Sequence, residues 1–406
     1  MLHSCRDEQY CFAILLISSL IFSPIKYAFS SLLSLALDIP YHLDSVFLWI
    51  LFIVLYVIPA IPKIQWTRSM IIIPSIIMIS LIIFVLQYPE HIKEGILAVY
   101  KILFRAYPYY IISCQIKDFK LVKKYLKKAG YIITMSCLLV IGVKLYLGTM
   151  DRYDMTLAYM IFPATIINFW FLMEKFTWFT ALSFIVSLVE VIFMGTRGPL
   201  LCFGIFYVYM IFYASMHSTK NKIMLVLITI LGMTMLILTI FGSSVFQQVA
   251  EKTGLSLRVF TALTNGEFFK SGGRVQAYLN SLRLVMRTPL LGTGILTDRY
   301  LLAELSAGVS GQKFMGTYSH LLFIEIIVQF GIVIGTVMCA WLLNKIIKIL
   351  LLNQGDFKDV AVLFLFISIL PLMLSGSYIQ EPTFYVFLGI LNSKNFRNDY
   401  IIRGNK

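Results

Sequence analysis

Long apolar runs recur along this chain, and they constrain its fold more than any other feature. Twelve can be read, at approximately 10–37, 44–61, 70–87, 95–115, 131–148, 157–173, 178–194, 198–216, 223–242, 321–343, 360–376 and 383–392. A bilayer core is crossed by roughly 20 apolar residues in a helix, because a helix satisfies its own backbone groups where no water is present. Composition points the same way: 59% of the 406 residues are apolar, 13% are charged, and mean hydropathy is +0.84. Soluble domains carry about 25% charged residues. A soluble globular enzyme, a disordered chain and a disulfide-stapled secreted module are thereby excluded. The expected class is an all-α polytopic membrane protein with about twelve transmembrane helices. The first run is too long for a signal peptide and further spans follow it, so it reads as an uncleaved helix.

The net charge of +14 would by itself suit nucleic acid. Its placement argues otherwise, since the basic residues sit mainly in short segments between apolar runs. With the N-terminus inside, the inside segments hold 19 Lys and Arg and the short outside loops hold 3. The positive-inside rule selects that orientation. Both termini are therefore expected in the cytoplasm, and no nucleic-acid partner is expected. Trp66, Trp170, Trp178 and Trp341 lie near expected span ends, as an aromatic belt requires. Lys26, Lys101, Arg105 and Lys144 fall inside runs, and Arg105 and Lys144 read as snorkelling to the headgroups. The six cysteines lie in the N-terminal tail or in apolar runs, so neither a disulfide framework nor a CxxC metal site is expected.

The organisation that follows is residues 1–242 as spans one to nine, 243–320 as a large extracytoplasmic loop, and 321–406 as three more spans and a cytoplasmic tail. Loops of that length are usually functional or disordered. This one holds Val275, Tyr278, Leu279, Leu282 and Met286 at helical spacing, which predicts a short amphipathic helix on the membrane surface. The helix should end at Thr288-Pro289, with Gly292-Thr293-Gly294 forcing a turn.

Three residues on the outer side carry most of the available chemistry. Arg197 sits in the tight turn Gly195-Thr196-Arg197-Gly198-Pro199, Arg274 follows Gly272-Gly273, and His320 stands at the mouth of the tenth span. Each has a plainer role open to it: an anchoring arginine for the first, a solvated or headgroup contact for the second, a locally bonded cap for the third. Arg287 and Arg299 are candidates for substrate contact, although headgroup contact is the plainer reading for them and for Arg283. Glu325 and Glu381 are placed to pair with an arginine, and Glu325 is a further candidate for substrate contact. Tyr278, Tyr318, Phe268 and Phe269 can stack on sugars or anchor at the interface.

The ordered blocks Gly195–Leu201, Gly273-Arg274, Thr288–Gly294, Ser319-His320 with Glu325, and Phe330–Gly335 resemble the O-antigen polymerase/ligase superfamily. These are the bacterial Wzy-type polymerases and WaaL-type ligases. The blocks run from about Gly195 to Gly335, and the first half of the chain matches only as a run of spans. Leu321 departs from the pattern, in which Asn often follows the His. The resemblance implies a GT-C-like glycosyltransferase acting on the outer face. Its donor would be a glycan on undecaprenyl diphosphate and its acceptor the hydroxyl of another lipid-linked repeat unit. A chain-length regulator and a flippase of the same pathway would be its partners.

The residue types suit that chemistry on their own account. Arginine binds diphosphate oxygens bidentately and stays protonated. Arg197 and Arg274 are the candidates to stabilise the leaving diphosphate, and His320 is the candidate general base. A helix N-terminus and nearby arginines would keep its ring neutral. No GxxxxGK[ST] loop, acidic metal pair or His/Cys metal spacing is present, and an activated donor requires neither ATP nor metal, so no cofactor is expected. The expected reaction is a direct, inverting attack. Polymerase is favoured over ligase. A polysaccharide-repeat flippase or transporter is the alternative from another class, though no symmetry between halves is evident.

Overall fold

Eleven of the twelve apolar runs coincide, wholly or in part, with helices in the computed structural model, which describes residues 8–37, 50–149, 154–215, 272–306, 318–352 and 355–393. The ninth run, the loop up to residue 271 with Phe268 and Phe269, and the tail beyond 393 lie outside the described residues. In chain order the helices are α1 (Glu8–Leu37), α2 (Ile50–Lys63), α3 (Ser69–Gln87), α4 (92–114), α5 (Phe119–Tyr146), α6 (Met155–Glu174) and α7 (Trp178–Phe193). They continue with α8 (Arg197–Ser215), α9 (Gly272–Arg287), α10 (Thr297–Ser306), α11 (Leu322–Leu351), α12 (356–372) and α13 (Pro382–Asn392). No strand occurs among the described residues. Five helices, α1, α3, α5, α6 and α11, are long and apolar enough to cross a membrane by length and composition.

The helices divide into a buried set and a lipid-facing set. From Ile161 to Met173, α6 is buried at every residue but Pro163, packed against α5 and α7. By contrast, Ile71, Ile72, Ile79 and Leu86 of α3 are exposed, and an apolar face of that extent is at rest only against lipid. The chain is a multi-pass membrane protein.

Helix ends are set by local chemistry. The basic stretch expected as an inside loop is largely the first turns of α5, which starts earlier than its apolar run because Asp118 caps it, accepting from Leu121 N at 3.0 Å. Within that stretch Lys123 is held by three carboxylates, Asp359 at 2.6 Å, Glu174 at 2.7 Å and Asp356 at 3.5 Å, tying α5 to α6 and α12. Lys144 does not snorkel as expected. Its Nζ lies 2.8 Å from Asp154, whose other oxygen caps α6 through Leu157 N at 2.9 Å. Nor does Trp170 belong to an interfacial belt: it is 3% exposed and packs on Phe206 and Tyr213, because it faces the bundle rather than the lipid.

The tenth expected span extends to Leu351 as α11 and is broken inside. Gly331 leaves the helical region at φ 76°, ψ 172°. The interruption frees backbone groups, and the 288–294 segment takes them up. Thr293 N donates to Val328 O at 2.8 Å, Gly294 N to Gln329 O at 2.9 Å, and Ile332 N to Pro289 O at 2.7 Å. Two of the sequence blocks thus dock main chain to main chain. A Cβ on Gly331 would stand 2.2 Å from Leu290 O, and one on Gly292 would stand 2.4 Å from Gly331 N. Gly331→Ala is therefore expected to destabilise by at least about 1–3 kcal/mol from its backbone conformation alone, with the clash added. The thermal unfolding midpoint of the detergent-solubilised protein checks this. Gly142→Ala, where a Cβ meets nothing within 4 Å, should be near neutral.

Candidate active site

The loop docked on the α11 break leads into α10 and so positions Arg299. This side chain is 1% exposed, not the headgroup contact expected of it, because Glu325 on α11, itself fully buried, meets its Nη2 at 2.7 Å. Glu325 thus pairs with an arginine, as its place near the outer side suggested. Ser377 closes the group: its hydroxyl accepts from Arg299 Nη2 and donates to Glu325 Oε1, the latter at 2.6 Å. Beside this pair Gln329 Nε2 donates to Asp298 Oδ2 at 3.0 Å, and Tyr378 OH donates to Gln329 Oε1. Two side-chain networks therefore join α10, α11 and the 375–378 turn.

Above the pair lies the ring system that carries His320. The Arg299 guanidinium sits 5.4 Å from the Tyr318 ring centre, and the Tyr318 and His320 ring centres are 4.1 Å apart. Burial pushes the Tyr318 phenol pKa up, so it stays protonated and donates to Ser375 O at 2.8 Å. The main chain of Ser375 also acts on the His320 ring, and Nδ1 of that ring is buried without a partner. His320 is held at φ 54°, the left-handed region that L-residues seldom adopt. Burial first, then the Arg274 charge and more weakly that of Arg299, bring its ring down to about 4, with the Ser375 bond opposing them. The ring is neutral at pH 7.

Arg274, in the first turn of α9, is close enough for its charge to act on His320, on Tyr318 and on Cys202 of α8. The Arg197 turn is reached by a different route. Ser375 Oγ donates to Tyr159 OH at 2.7 Å, and that hydroxyl rests against Gly198: a Cβ there would lie 2.2 Å from it. His320, Arg274 and the turn bearing Arg197 therefore share one neighbourhood. Arg283 and Arg287 point away on the exposed side of α9, and Tyr278 is half-buried on that helix. The exposed stripe of α9 is Val275, Leu279, Leu282 and Met286, continued by Leu290 and Leu291.

The turn from Ser375 to Tyr378 escaped sequence reasoning, as did Tyr159, Gln329 and Asp298. The only trace was the placement of short polar residues between the last two apolar runs. Among the described residues no group of three or more His, Cys, Asp or Glu is placed to hold a metal ion.

The fold and site define an all-helical membrane protein with arginines and a neutral histidine gathered where two helices begin. Residues 182–340 match the family model described as O-antigen ligase, which supports the O-antigen polymerase/ligase superfamily. No curated protein matches the chain. The family is one of glycosyltransferase-like enzymes with lipid-linked polysaccharide substrates in membranes, in O-antigen and lipopolysaccharide biosynthesis. The match includes Arg197, Arg274, Arg299, His320 and Glu325, and it ends before Ser375.

Removing one partner of a fully buried ion pair leaves an uncompensated charge and costs about 3–5 kcal/mol, whereas apolar replacement of both is often close to neutral. Glu325→Ala should therefore lower the thermal unfolding midpoint sharply. Arg299→Met/Glu325→Leu should recover most of the loss.

Proposed function

We propose that the protein is an O-antigen polymerase of the cytoplasmic membrane, joining oligosaccharide repeat units carried on undecaprenyl diphosphate at its outer face. The observation that carries this reading is the His320 ring, set against Tyr318 with its Nδ1 buried and unpartnered and within the field of Arg274. In the reaction the acceptor hydroxyl oxygen forms a bond to the anomeric carbon of the donor. The bond from that carbon to the diphosphate breaks, and the hydroxyl proton passes to the neutral His320 imidazole. Undecaprenyl diphosphate leaves with the electron pair, stabilised by Arg197 and Arg274. A single displacement inverts the anomeric centre. In this reading Tyr278, half-buried on α9, would contact the passing glycan.

A ligase performs the same displacement with lipid A-core as acceptor, and the printed description of the matching family, O-antigen ligase, favours that second reading. The lipopolysaccharide of a deletion strain separates them. Core bearing a single repeat unit marks a lost polymerase, and bare core marks a lost ligase. A polysaccharide-repeat flippase would instead give no transfer when purified protein is supplied with lipid-linked repeats.

Loss of general-base help costs typically 10²–10⁴-fold. His320→Asn, which tolerates a left-handed backbone, should lower transfer by that factor while the protein still accumulates in the membrane. His320→Ala should abolish the polymer ladder, and full-length polymer from either variant would remove His320 from the mechanism. Because the ring must be neutral to act, activity is retained above its pKa and lost as pH falls through it. The acid limb of kcat/KM should accordingly lie near pH 4, well below the ordinary histidine value of about 6.5.

A further inference from the structure

The site is assembled from parts far apart in sequence, and one contact links its two sides. Gly198 opens the second position of α8, directly after Arg197. The Tyr159 hydroxyl occupies the space where a side chain at 198 would begin, 2.2 Å from an ideal Cβ, with Cζ next at 3.2 Å. The same hydroxyl accepts from Ser375 Oγ at 2.7 Å. The carbonyl of that serine receives Tyr318 OH, and the Tyr318 ring lies 4.1 Å from that of His320, centre to centre. From the arginine turn to the imidazole the path is therefore Gly198, Tyr159, Ser375, Tyr318, His320. It contains one steric contact, one bond between hydroxyls, one bond to a carbonyl and one ring–ring contact. Tyr159 and Ser375 both lie outside the matched region 182–340.

We infer that Tyr159 and Ser375 are positioning residues that set the spacing between the Arg197 turn and His320. The inference rests on the proposed transfer reaction for its kinetic consequence, though not for its structural one. A leaving-group cation and a base must be held to a fraction of an ångström, and misplacement by about 1 Å can cost 10²-fold. A hydroxyl wedged against a glycine provides such a stop. It meets backbone on one side and a serine anchored through its own carbonyl on the other.

The arrangement makes an unusual demand on substitutions. Alanine is a better helix former than glycine, so Gly198→Ala should favour α8 locally, yet its methyl would drive Tyr159 away from Ser375. Tyr159→Phe removes the colliding oxygen and leaves the ring carbon at 3.2 Å, which a shift of a few tenths of an ångström relieves. Transfer from lipid-linked repeats by the purified full-length protein should fall about 10–100-fold in Gly198→Ala and severalfold in Tyr159→Phe. In the double variant Gly198→Ala/Tyr159→Phe it should rise to near the level of Tyr159→Phe alone. Ser375→Ala keeps the carbonyl and removes only the hydroxyl link. It should match Tyr159→Phe and add nothing to it when the two are combined.

A second readout needs no substrate. In 15N-histidine spectra the His320 ring signal should shift in Gly198→Ala and return toward its wild-type position in the double variant. Additive losses in the Gly198/Tyr159 pair, or an unchanged His320 signal in Gly198→Ala, overturn the inference. Should the wild-type protein transfer no glycan, the reading of function fails, and the His320 signal alone then decides the positioning role. If Gly198→Ala does not accumulate in the membrane, the Tyr159/Ser375 pair decides it, and additivity there sinks the inference.

Discussion

An interrupted helix in a membrane protein must find partners for the backbone groups it releases, since an unpaired amide or carbonyl away from water is expensive. Here the break at Gly331 is answered by the 288–294 segment, which supplies two N–H donors and one carbonyl acceptor. The rest of the site depends on that exchange. It fixes where α10 begins, which puts Arg299 beside Glu325, and the pair in turn lies under Tyr318 and His320. Irregular backbone is tolerated at such a place only when protein covers it. The tight approach of Gly292 to Gly331 shows how closely this cover is applied.

The charges of the site fall into two kinds. Arg299 is matched by Glu325 within the protein, and a pair of this sort contributes little net stability while holding its neighbours in one arrangement. Arg274 has its first-turn position on a surface helix whose outer stripe is apolar, and its charge reaches His320, Tyr318 and Cys202. An arginine there is available to an anion from outside in a way that the buried one is not. The sequence resemblance treats all such arginines alike. Burial is what sorts them.

Much of the fold was legible because hydrocarbon imposes a length and a composition on whatever crosses it. The positions of α1, α3, α6, α7 and α8 follow from their apolar runs within a few residues. The glycine-rich turns at 195–199 and 292–294 were equally plain, as turns. What could not be read was which face of a helix looks inward. Trp170, Lys144 and Arg299 each sit where an interfacial residue belongs, and each turns inward to a neighbour or a counter-ion instead. The Ser375–Tyr378 turn was invisible for another reason. Serine, glycine and tyrosine between two spans carry no signal until the chain brings Arg299, Gln329 and His320 to them.

The low proton affinity of His320 bears on how the barrier would be lowered in the proposed reaction. A base brought down to about 4 draws weakly on a hydroxyl proton, so in the free protein the arginines would supply the larger share of transition-state stabilisation. The field that weakens the base comes in part from Arg274, however, and that charge is the one a bound diphosphate would neutralise. Loading the donor therefore relieves one cause of the lowered proton affinity, while the Ser375 bond that raises it persists. The imidazole becomes a stronger base in the complex than in the empty site, at the moment a proton must be taken. In terms of pH the acid limb of kcat, which reports the loaded site, would then lie above that of kcat/KM, which reports the free one. Coupling of this kind requires Arg274 and the His320 imidazole to share one small volume. It would vanish if the diphosphate were bound by Arg197 alone, leaving the two limbs coincident.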